Sequence, residues 1–198
     1  MLDEKKINEI KKNVENFIKD GTLAKGGDGK EVKFFVNNSK NSFNSAKLLF
    51  DVSTNDELKK VTGFQDFDGF LWVINSSYYS MFYMARALLE SEGITINTNE
   101  SSIHFIVFNA LVYYFHLTKK LEKGFIEEFR DAEIESSELL GKQKARELVE
   151  DYFFEKEKRG RFTYEMGEIA IQGKARTSLE RAKRFNERIR KLLEAKND

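Results

Sequence analysis

The chain has 198 residues, with 33 basic and 33 acidic side chains and neither cysteine nor proline. This length corresponds to about one domain, and the lack of cysteine excludes disulfides and thiolate chemistry. The longest apolar run, residues 103–115, is shorter than the roughly 20 residues that cross a bilayer, so we expect a soluble, cytoplasmic protein with no membrane segment.

The N-terminal segment has its own predicted organisation. Residues 3–19 carry apolar side chains one helical turn apart, and a glycine-rich stretch, residues 21–29, follows. The pattern predicts an amphipathic helix and a flexible linker. We expect them to form a unit, residues 1–30, that packs separately from a helical bundle made by residues 31–198.

The rest of the chain shows helical periodicity and no sustained alternation of apolar and polar residues. The predicted helices cover residues 31–52, 70–91, 101–117, 123–140, 143–156 and 171–195. Residues 53–69 are expected to form a loop. If the N-terminal helix is counted as the first, we expect Gly93 to end the third helix, residues 70–91, and Gly141 to separate the fifth helix from the sixth. The predicted fold class is all-α, an up-and-down helical bundle.

Charge is unevenly distributed along this neutral chain. Residues 127–138 contain six acidic side chains and one basic one, and residues 174–191 contain eight basic and two acidic ones. A basic helix can attract phosphate backbones, but a solvated charged face opposite an apolar one is the commoner reason for such a pattern.

Two further motifs predict little chemistry. The segment AKGGDGKE, residues 24–31, resembles a phosphate-binding loop, but Glu31 stands where a hydroxyl is needed and a helix precedes it, which favours a flexible linker. The two histidines, His104 and His116, are about three helical turns apart, too far to share a metal ion. We expect no metal or cofactor, and a partly buried, hydrogen-bonded His104.

The aromatic segment NSSYYSMFYMARALL, residues 75–89, is the first part of the chain that bears on function. Core packing is expected for Tyr78 and for Phe82 one turn later, whereas Tyr79 and Tyr83 face a neighbouring direction from which they can reach a base, a phosphate or a second subunit. Arg86 lies one turn further along, and a cation in so apolar a helix needs either an acidic partner or a ligand.

The segment KEKRGRFTY, residues 156–164, is the second such part. Its guanidinium groups, on Arg159 and Arg161, can bind phosphate in a bidentate manner, and the hydroxyl of Tyr164 can donate a hydrogen bond to a phosphate oxygen. A charged turn between two helices would explain the same residues.

Together these segments resemble the HEPN family of small helical bundles, in the branch with a YYxMF-type helix and an Arg-x4-Tyr motif. The resemblance implies a bundle of HEPN type with an extra N-terminal helix, a homodimer, and pairing with a nucleotidyltransferase as toxin and antitoxin. It implies Arg159 and Tyr164 as catalytic residues, and an RNA- or nucleotide-binding set comprising Arg161, Tyr79, Tyr83, Arg86 and His104.

The chain departs from the catalytic members of that family, which carry a histidine where Tyr164 stands. A phenol with a pKa near ~10 is a poor general base, so we expect ribonuclease activity to be weak or absent and binding to persist. Two alternatives remain: a non-catalytic protein-interaction scaffold, and an active metal-independent endoribonuclease in which His104 approaches Tyr164.

Overall fold

The computed structural model describes residues 2–97, 103–150 and 161–196; within them, the side chains of residue 140 and of residues 142–150 and 161–170 are not described. The helices are α1 (Glu4–Lys19), α2 (Val32–Thr54), α3 (Asp56–Thr62), α4 (Phe70–Ser91), α5 (Ile103–Leu111), α6 (Lys123–Glu150) and α7 (Arg161–Glu194). A π-helical turn, Val112–His116, continues α5, and two short strands, β1 (Leu23–Lys25) and β2 (Ile94–Ile96), form an antiparallel pair. The described residues therefore form a predominantly helical bundle, which confirms the all-α expectation at that level.

The centre of the bundle is α4, which packs against α2, α5, α6 and α7. It has the predicted bounds, and Gly93 follows it as predicted, in the left-handed conformation with φ +69°. A large hydrophobic core surrounds α4; its largest fully buried side chains are Phe115, Phe129, Phe185, Ile10, Leu23, Ile74, Met81, Met84, Leu88, Leu89, Ile106 and Leu111. Residues 106–111 of α5 are buried within the chain's own core, whereas Phe105 is 37% exposed.

The N-terminal helix contributes to this core rather than standing apart from it. Ile10 and Val14 are fully buried in the same cluster as Met81 of α4. The following linker is not wholly flexible, because β1 pairs with β2 in a register that sets Ala24 opposite Thr95. Strands of three residues are too short to show an alternating pattern, so the sequence did not reveal them.

The expected loop at residues 53–69 contains a helix, α3. Its N-terminus is capped by Asn55, whose side-chain oxygen accepts hydrogen bonds from the amides of Glu57 and Leu58 at 2.9 and 3.1 Å. Its C-terminus ends at Gly63, with φ +78°. Both are ordinary helix-boundary signals. The loop prediction was wrong there because the helix is short and has no buried residue to produce an apolar pattern.

The predicted break at Gly141 is also wrong. Helix α6 runs through it without interruption, and open space surrounds the position where a Cβ would lie. A single glycine costs a helix only about 1 kcal/mol relative to alanine, far less than a proline, and the flanking turns offset it. Helix α7 begins at Arg161, ahead of the predicted residue 171.

The turn after α4 is closely packed against the linker. The carbonyl oxygen of Gly93 accepts hydrogen bonds from the amides of Gly26 and Gly27, at 2.9 and 3.0 Å, which ties the linker to the end of α4. A Cβ on Gly93 would lie 3.0 Å from the carbonyl oxygen of Gly27. Glycine is required there both for the positive φ and for the close approach.

We therefore expect Gly93→Ala to lower the free energy of unfolding by about 1–3 kcal/mol, since it combines left-handed strain with a backbone contact. Gly173→Ala is the matched control: it lies inside α7 with open space around it, and should stabilise the fold by about 0.5–1 kcal/mol. Urea denaturation followed by circular dichroism measures both. Equal effects of the two substitutions would contradict this account of the turn.

Candidate functional site

One face of α4 remains partly open to solvent although most of the helix is buried. Along this face lie Trp72, Ser76, Tyr79, Tyr83 and Arg86, each of them exposed or half-buried. They are separated by four, three, four and three residues, so they form one continuous stripe along the helix. We call these five residues the α4 stripe. Three aromatic rings, a hydroxyl and a guanidinium thus face the same side of the bundle.

The two tyrosines of the predicted binding set lie on this stripe. Their rings contact each other, with centroids 6.2 Å apart. Tyr78 and Phe82, which alternate with them in sequence, are only 4% and 5% exposed, as their expected core role requires. The prediction that Tyr79 and Tyr83 face a different direction from Tyr78 and Phe82 is confirmed.

Arg86 is the last residue of the α4 stripe. It has no ion pair or hydrogen bond with any residue that the structure describes. Its guanidinium lies over the ring of Phe35 at 4.5 Å from the centroid. Burial lowers the pKa of Arg86, and the nearby carboxylates of Glu31 and Glu90 act in the opposite direction. The group remains charged because an arginine pKa is far above neutrality, so its hydrogen-bond donors are left available to an anion.

A carboxylate in the same region is itself unusual. Glu90, one turn after Arg86, is only 5% exposed. Burial, and next the charge of Glu31, raise the pKa of Glu90, while Arg86 lowers it. Glu90 and Arg86 thus act on each other's pKa as opposite charges do, without forming an ion pair among the described contacts.

His104, at the start of α5, lies beside Tyr79 of the α4 stripe. The hydroxyl of Tyr78 lies 2.6 Å from its Nδ1, and its ring contacts Tyr79 and Phe82 at centroid distances of 5.8 and 4.5 Å. The expectation of a partly buried, hydrogen-bonded His104 is confirmed. The structure thus brings His104 together with Tyr79, two residues that the resemblance assigned to binding.

The protonation states in this cluster follow from burial. Burial raises the pKa of Tyr78 far above its ordinary value, and the charge of Glu133 raises it further, so the phenol keeps its proton. The phenol can therefore donate a hydrogen bond to Nδ1 of His104, which its oxygen approaches at 2.6 Å. Burial also lowers the pKa of His104, against the smaller effect of Glu133. In the tautomer that accepts this hydrogen bond at Nδ1, the neutral imidazole carries its proton on Nε2, where it can donate a hydrogen bond.

Two charged residues of α6 lie near the Tyr78–His104 pair: Glu133 affects the pKa of both groups, and Arg130 affects the pKa of Tyr78. Arg130 Nη1 forms an ion pair with Glu133 Oε2 at 2.6 Å, and the guanidinium also lies over the ring of Phe108 at 5.1 Å. The sequence analysis did not select Tyr78, Arg130 or Glu133 as site residues. Only their proximity to His104 identifies them, since no local motif links α4, α5 and α6.

The sequence analysis also missed the first two members of the α4 stripe. Trp72 and Ser76 lie seven and three residues before Tyr79, which are spacings that return to the same face of a helix. That spacing could have identified both of them from the sequence alone.

The other predicted site residues cannot be placed in the same way. Arg159 lies outside the described residues. Arg161 and Tyr164 lie in the first turn of α7, but their side chains are not described. Their roles, and any approach of Tyr164 to His104, stay predictions.

Part of the basic segment is neutralised by acidic side chains. Three arginines on one side of α7 form ion pairs with the segment that includes α6: Arg181 with Glu135 at 3.1 Å, Arg184 with Glu128 at 2.9 Å and Arg188 with Glu122 at 2.8 Å. This side of α7 is therefore not a free phosphate-binding surface.

The glycine-rich segment does not form a phosphate cradle either. The amides of Gly26 and Gly27 are committed to the carbonyl of Gly93, and Lys30 pairs with Asp28. The segment therefore connects α1 to α2 without forming a phosphate-binding loop, and it is tied to the end of α4 rather than being the flexible linker that was predicted.

The protonation of His104 can be measured directly, because the chain has only two histidines. We expect His104 to titrate below the ordinary value near ~6.5, and Tyr78→Phe to raise its pKa because the donor to Nδ1 is lost. Since the unfolded chain then binds more protons, the free energy of unfolding should fall as the pH falls through the window below ~6.5. Heteronuclear NMR titration, assigned with His104→Gln, measures this, and a pKa at or above that of the urea-unfolded chain would contradict it.

Among the described residues, no helix has an apolar stretch long enough to cross a bilayer, and no group of three or more histidine, aspartate or glutamate side chains is arranged to hold a metal ion. Comparison of the chain with models of protein families, with curated proteins and with solved structures finds no match. The function therefore has to be argued from the geometry of the site.

Proposed function

We propose that the chain is a HEPN-type RNA- or nucleotide-binding protein that contacts bases and phosphate along the α4 stripe. The observation that carries the proposal is the composition of this one open face: aromatic rings followed by a guanidinium without an ion-pair partner among the described residues. Aromatic faces stack on any base, at about 1–3 kcal/mol per base, and a guanidinium binds phosphate oxygens in pairs.

Each group on the stripe has a distinct role in the proposal. Trp72, Tyr79 and Tyr83 supply the stacking surfaces. Arg86 supplies the phosphate contact, and its partial burial strengthens that contact because less water competes for the guanidinium. His104 donates a hydrogen bond from Nε2, and its neutral state suits binding at physiological pH rather than acid catalysis.

The proposal extends to the segment before α7. Arg159 and Arg161 would hold a second phosphate, with Tyr164 as a hydrogen-bond donor in a degenerate, weak ribonuclease site. In a homodimer paired with a nucleotidyltransferase, such a site would serve a toxin–antitoxin system. Arg159→Ala and Arg161→Ala test this part separately from the α4 stripe.

Binding of a fluorescein-labelled single-stranded RNA of about 12 nucleotides, followed by anisotropy, tests the α4 stripe. We expect Tyr79→Ala with Tyr83→Ala to weaken binding about tenfold or more, because two stacking surfaces are removed. Arg86→Ala should weaken binding and reduce the slope of log affinity against log salt by about 1, since one phosphate contact is lost.

The matched controls are Phe64→Ala, an exposed aromatic outside the stripe, and Lys174→Ala, an exposed cation on α7. Neither should change RNA affinity by more than about twofold. An RNA affinity that responded equally to stripe and control variants, or no RNA affinity in the unaltered chain, would rule out the assignment.

A second candidate function, a protein-interaction scaffold that dimerises, is favoured by the outer face of α2. Phe34 and Leu48 are 59% and 63% exposed there. Phe34 and Leu48 are two heptads apart and lie on the same face of α2. No charged side chain lies on this face; its exposed members are Phe34, Asn37, Asn41, Ser45 and Leu48. In a chain that is 33% charged, an uncharged face with exposed apolar side chains suits a two-fold interface, because apposing it with its own copy brings no like charges together.

If a homodimer forms through α2, Leu48→Asp should convert it to a monomer, because the substitution sets a carboxylate from each copy within the interface. Light scattering coupled to size-exclusion chromatography measures the mass. Val61→Asp is the control, since Val61 on α3 is more exposed, at 84%, and lies off this face. A monomeric unaltered protein, or a dimer that survives Leu48→Asp, would argue against this interface.

A further inference from the structure

The contact between α2 and α4 ends in a cluster of charged residues. Along this contact the two helices run antiparallel. In its middle, Ser39 Oγ lies 3.3 Å from Ser80 Oγ. Nearer the start of α2 and the end of α4, the guanidinium of Arg86 lies over the ring of Phe35, 4.5 Å from its centroid. The residues one turn further along both helices are therefore placed opposite each other.

Those residues are two glutamates. Glu31 directly precedes α2, and Glu90 lies in the last turn of α4. The charge of Glu31 raises the pKa of Glu90, which agrees with this placement. The dipole of α4 also opposes a negative charge in its last turn. The two carboxylates therefore repel each other unless a cation lies between them.

The carboxylate of Glu90 is both buried and unpaired. The residue is only 5% exposed, and its side chain forms no hydrogen bond or ion pair with any residue that the structure describes. Buried carboxylates are normally paired. The fully enclosed, unpaired side-chain atoms of the described residues belong to Ser77, Glu128 and Asn186 and not to Glu90. The oxygens of Glu90 therefore still reach the surface, where a cationic group can contact them.

Arg86 supplies a positive charge one turn before Glu90. Its guanidinium lies over an aromatic ring and has no ion pair among the described residues, so its donors are free as well. A simple cation between Glu31 and Glu90 would be repelled by Arg86. A ligand that carries both an ammonium and a carboxylate satisfies all three groups. A metal ion is disfavoured, because no three carboxylates or histidines of the described residues are arranged to hold one.

We propose that this end of the α2–α4 contact binds a free α-amino acid. The ammonium lies between Glu31 and Glu90, where it stabilises the ionised form of Glu90, and the carboxylate accepts hydrogen bonds from Arg86. An apolar surface adjoins these groups: a Cβ on Gly29 would lie 3.8 Å both from a methyl group of Val32 and from the carbonyl oxygen of Glu90. The site therefore suits an aliphatic amino acid such as leucine.

This site goes beyond the proposed function, because it uses only Arg86 of the α4 stripe and needs no RNA. Titration of the isotope-labelled protein with L-leucine at neutral pH, followed by NMR chemical shifts, tests it. N-acetyl-L-leucine lacks the ammonium and L-leucinamide lacks the carboxylate. Each should bind about tenfold or more weakly than L-leucine, since one charge-assisted contact is lost.

Substitution of the glutamates tests the contacts to the ammonium. Glu90→Gln keeps the size of the side chain and should weaken L-leucine binding about tenfold or more. Glu31→Gln should weaken it about fivefold. Because the side chain of Glu31 does not cap α2, this substitution removes no hydrogen bond from the fold, and it decides the matter if Glu90→Gln does not fold. The matched control, Glu57→Gln at an exposed position of α3, should change affinity by less than about twofold.

Substitution of the arginine tests the contact to the carboxylate. Arg86→Gln should weaken L-leucine about tenfold or more and leave L-leucinamide binding unchanged or stronger, because the repulsive cation is gone. Arg176→Gln is the matched control, since the guanidinium of Arg176 lies over the ring of Phe50 at 5.6 Å but is on α7, outside the site. It should change affinity by less than about twofold.

The proposal is overturned if L-leucine does not bind the unaltered protein, if either blocked form binds as tightly, or if the control variants lose as much affinity as the site variants. Trp72→Ala separates this site from the α4 stripe, since it should weaken RNA binding and leave L-leucine binding unchanged. Absence of RNA binding with L-leucine binding retained refutes the proposed function alone. RNA binding without L-leucine binding refutes this site alone.

Discussion

The burial of α4 is the constraint on which the rest of the structure depends. Four other helices pack against it, and most of its side chains lie in the core. Each apolar side chain removed from water contributes about 1.5–3 kcal/mol, so the bundle gains most by covering this helix as fully as it can. The positions that stay open are for that reason informative. They carry an aromatic and cationic stripe that packing alone does not explain.

The ion pairs also distinguish neutralised from unneutralised parts of the surface. The acidic and basic segments are complementary, and their ion pairs set α6 against one side of α7. Exposed pairs of this kind contribute at most about 1 kcal/mol each, so they select the mutual orientation of the helices more than they stabilise the fold. Arg86 on α4 has no such partner among the described residues and is partly buried, and an anion gains most from binding a cation under those conditions.

Burial and electrostatics both act on the cluster around His104. Burial keeps the phenol of Tyr78 protonated and the imidazole neutral, and the short hydrogen bond between them orients the ring. Nearby Glu133 is already engaged with Arg130, so it does not pair with the imidazole. This arrangement favours a hydrogen-bonding role over a proton shuttle.

The sequence by itself determined the helices in which the apolar pattern extends over many residues, above all α4. It also determined which side of α4 is buried and which is partly open. Both results depend on the spacing of residues within one segment. Spacing alone placed Tyr79 and Tyr83 on the partly open side, with Arg86 one turn beyond. Only the tertiary structure decided that β1 pairs with β2, that α6 continues through Gly141, and that Tyr78, Arg130 and Glu133 surround His104. Those features depend on contacts between residues distant in the chain or on the balance of neighbouring turns, and local propensity carries no information about which distant partner a side chain will meet.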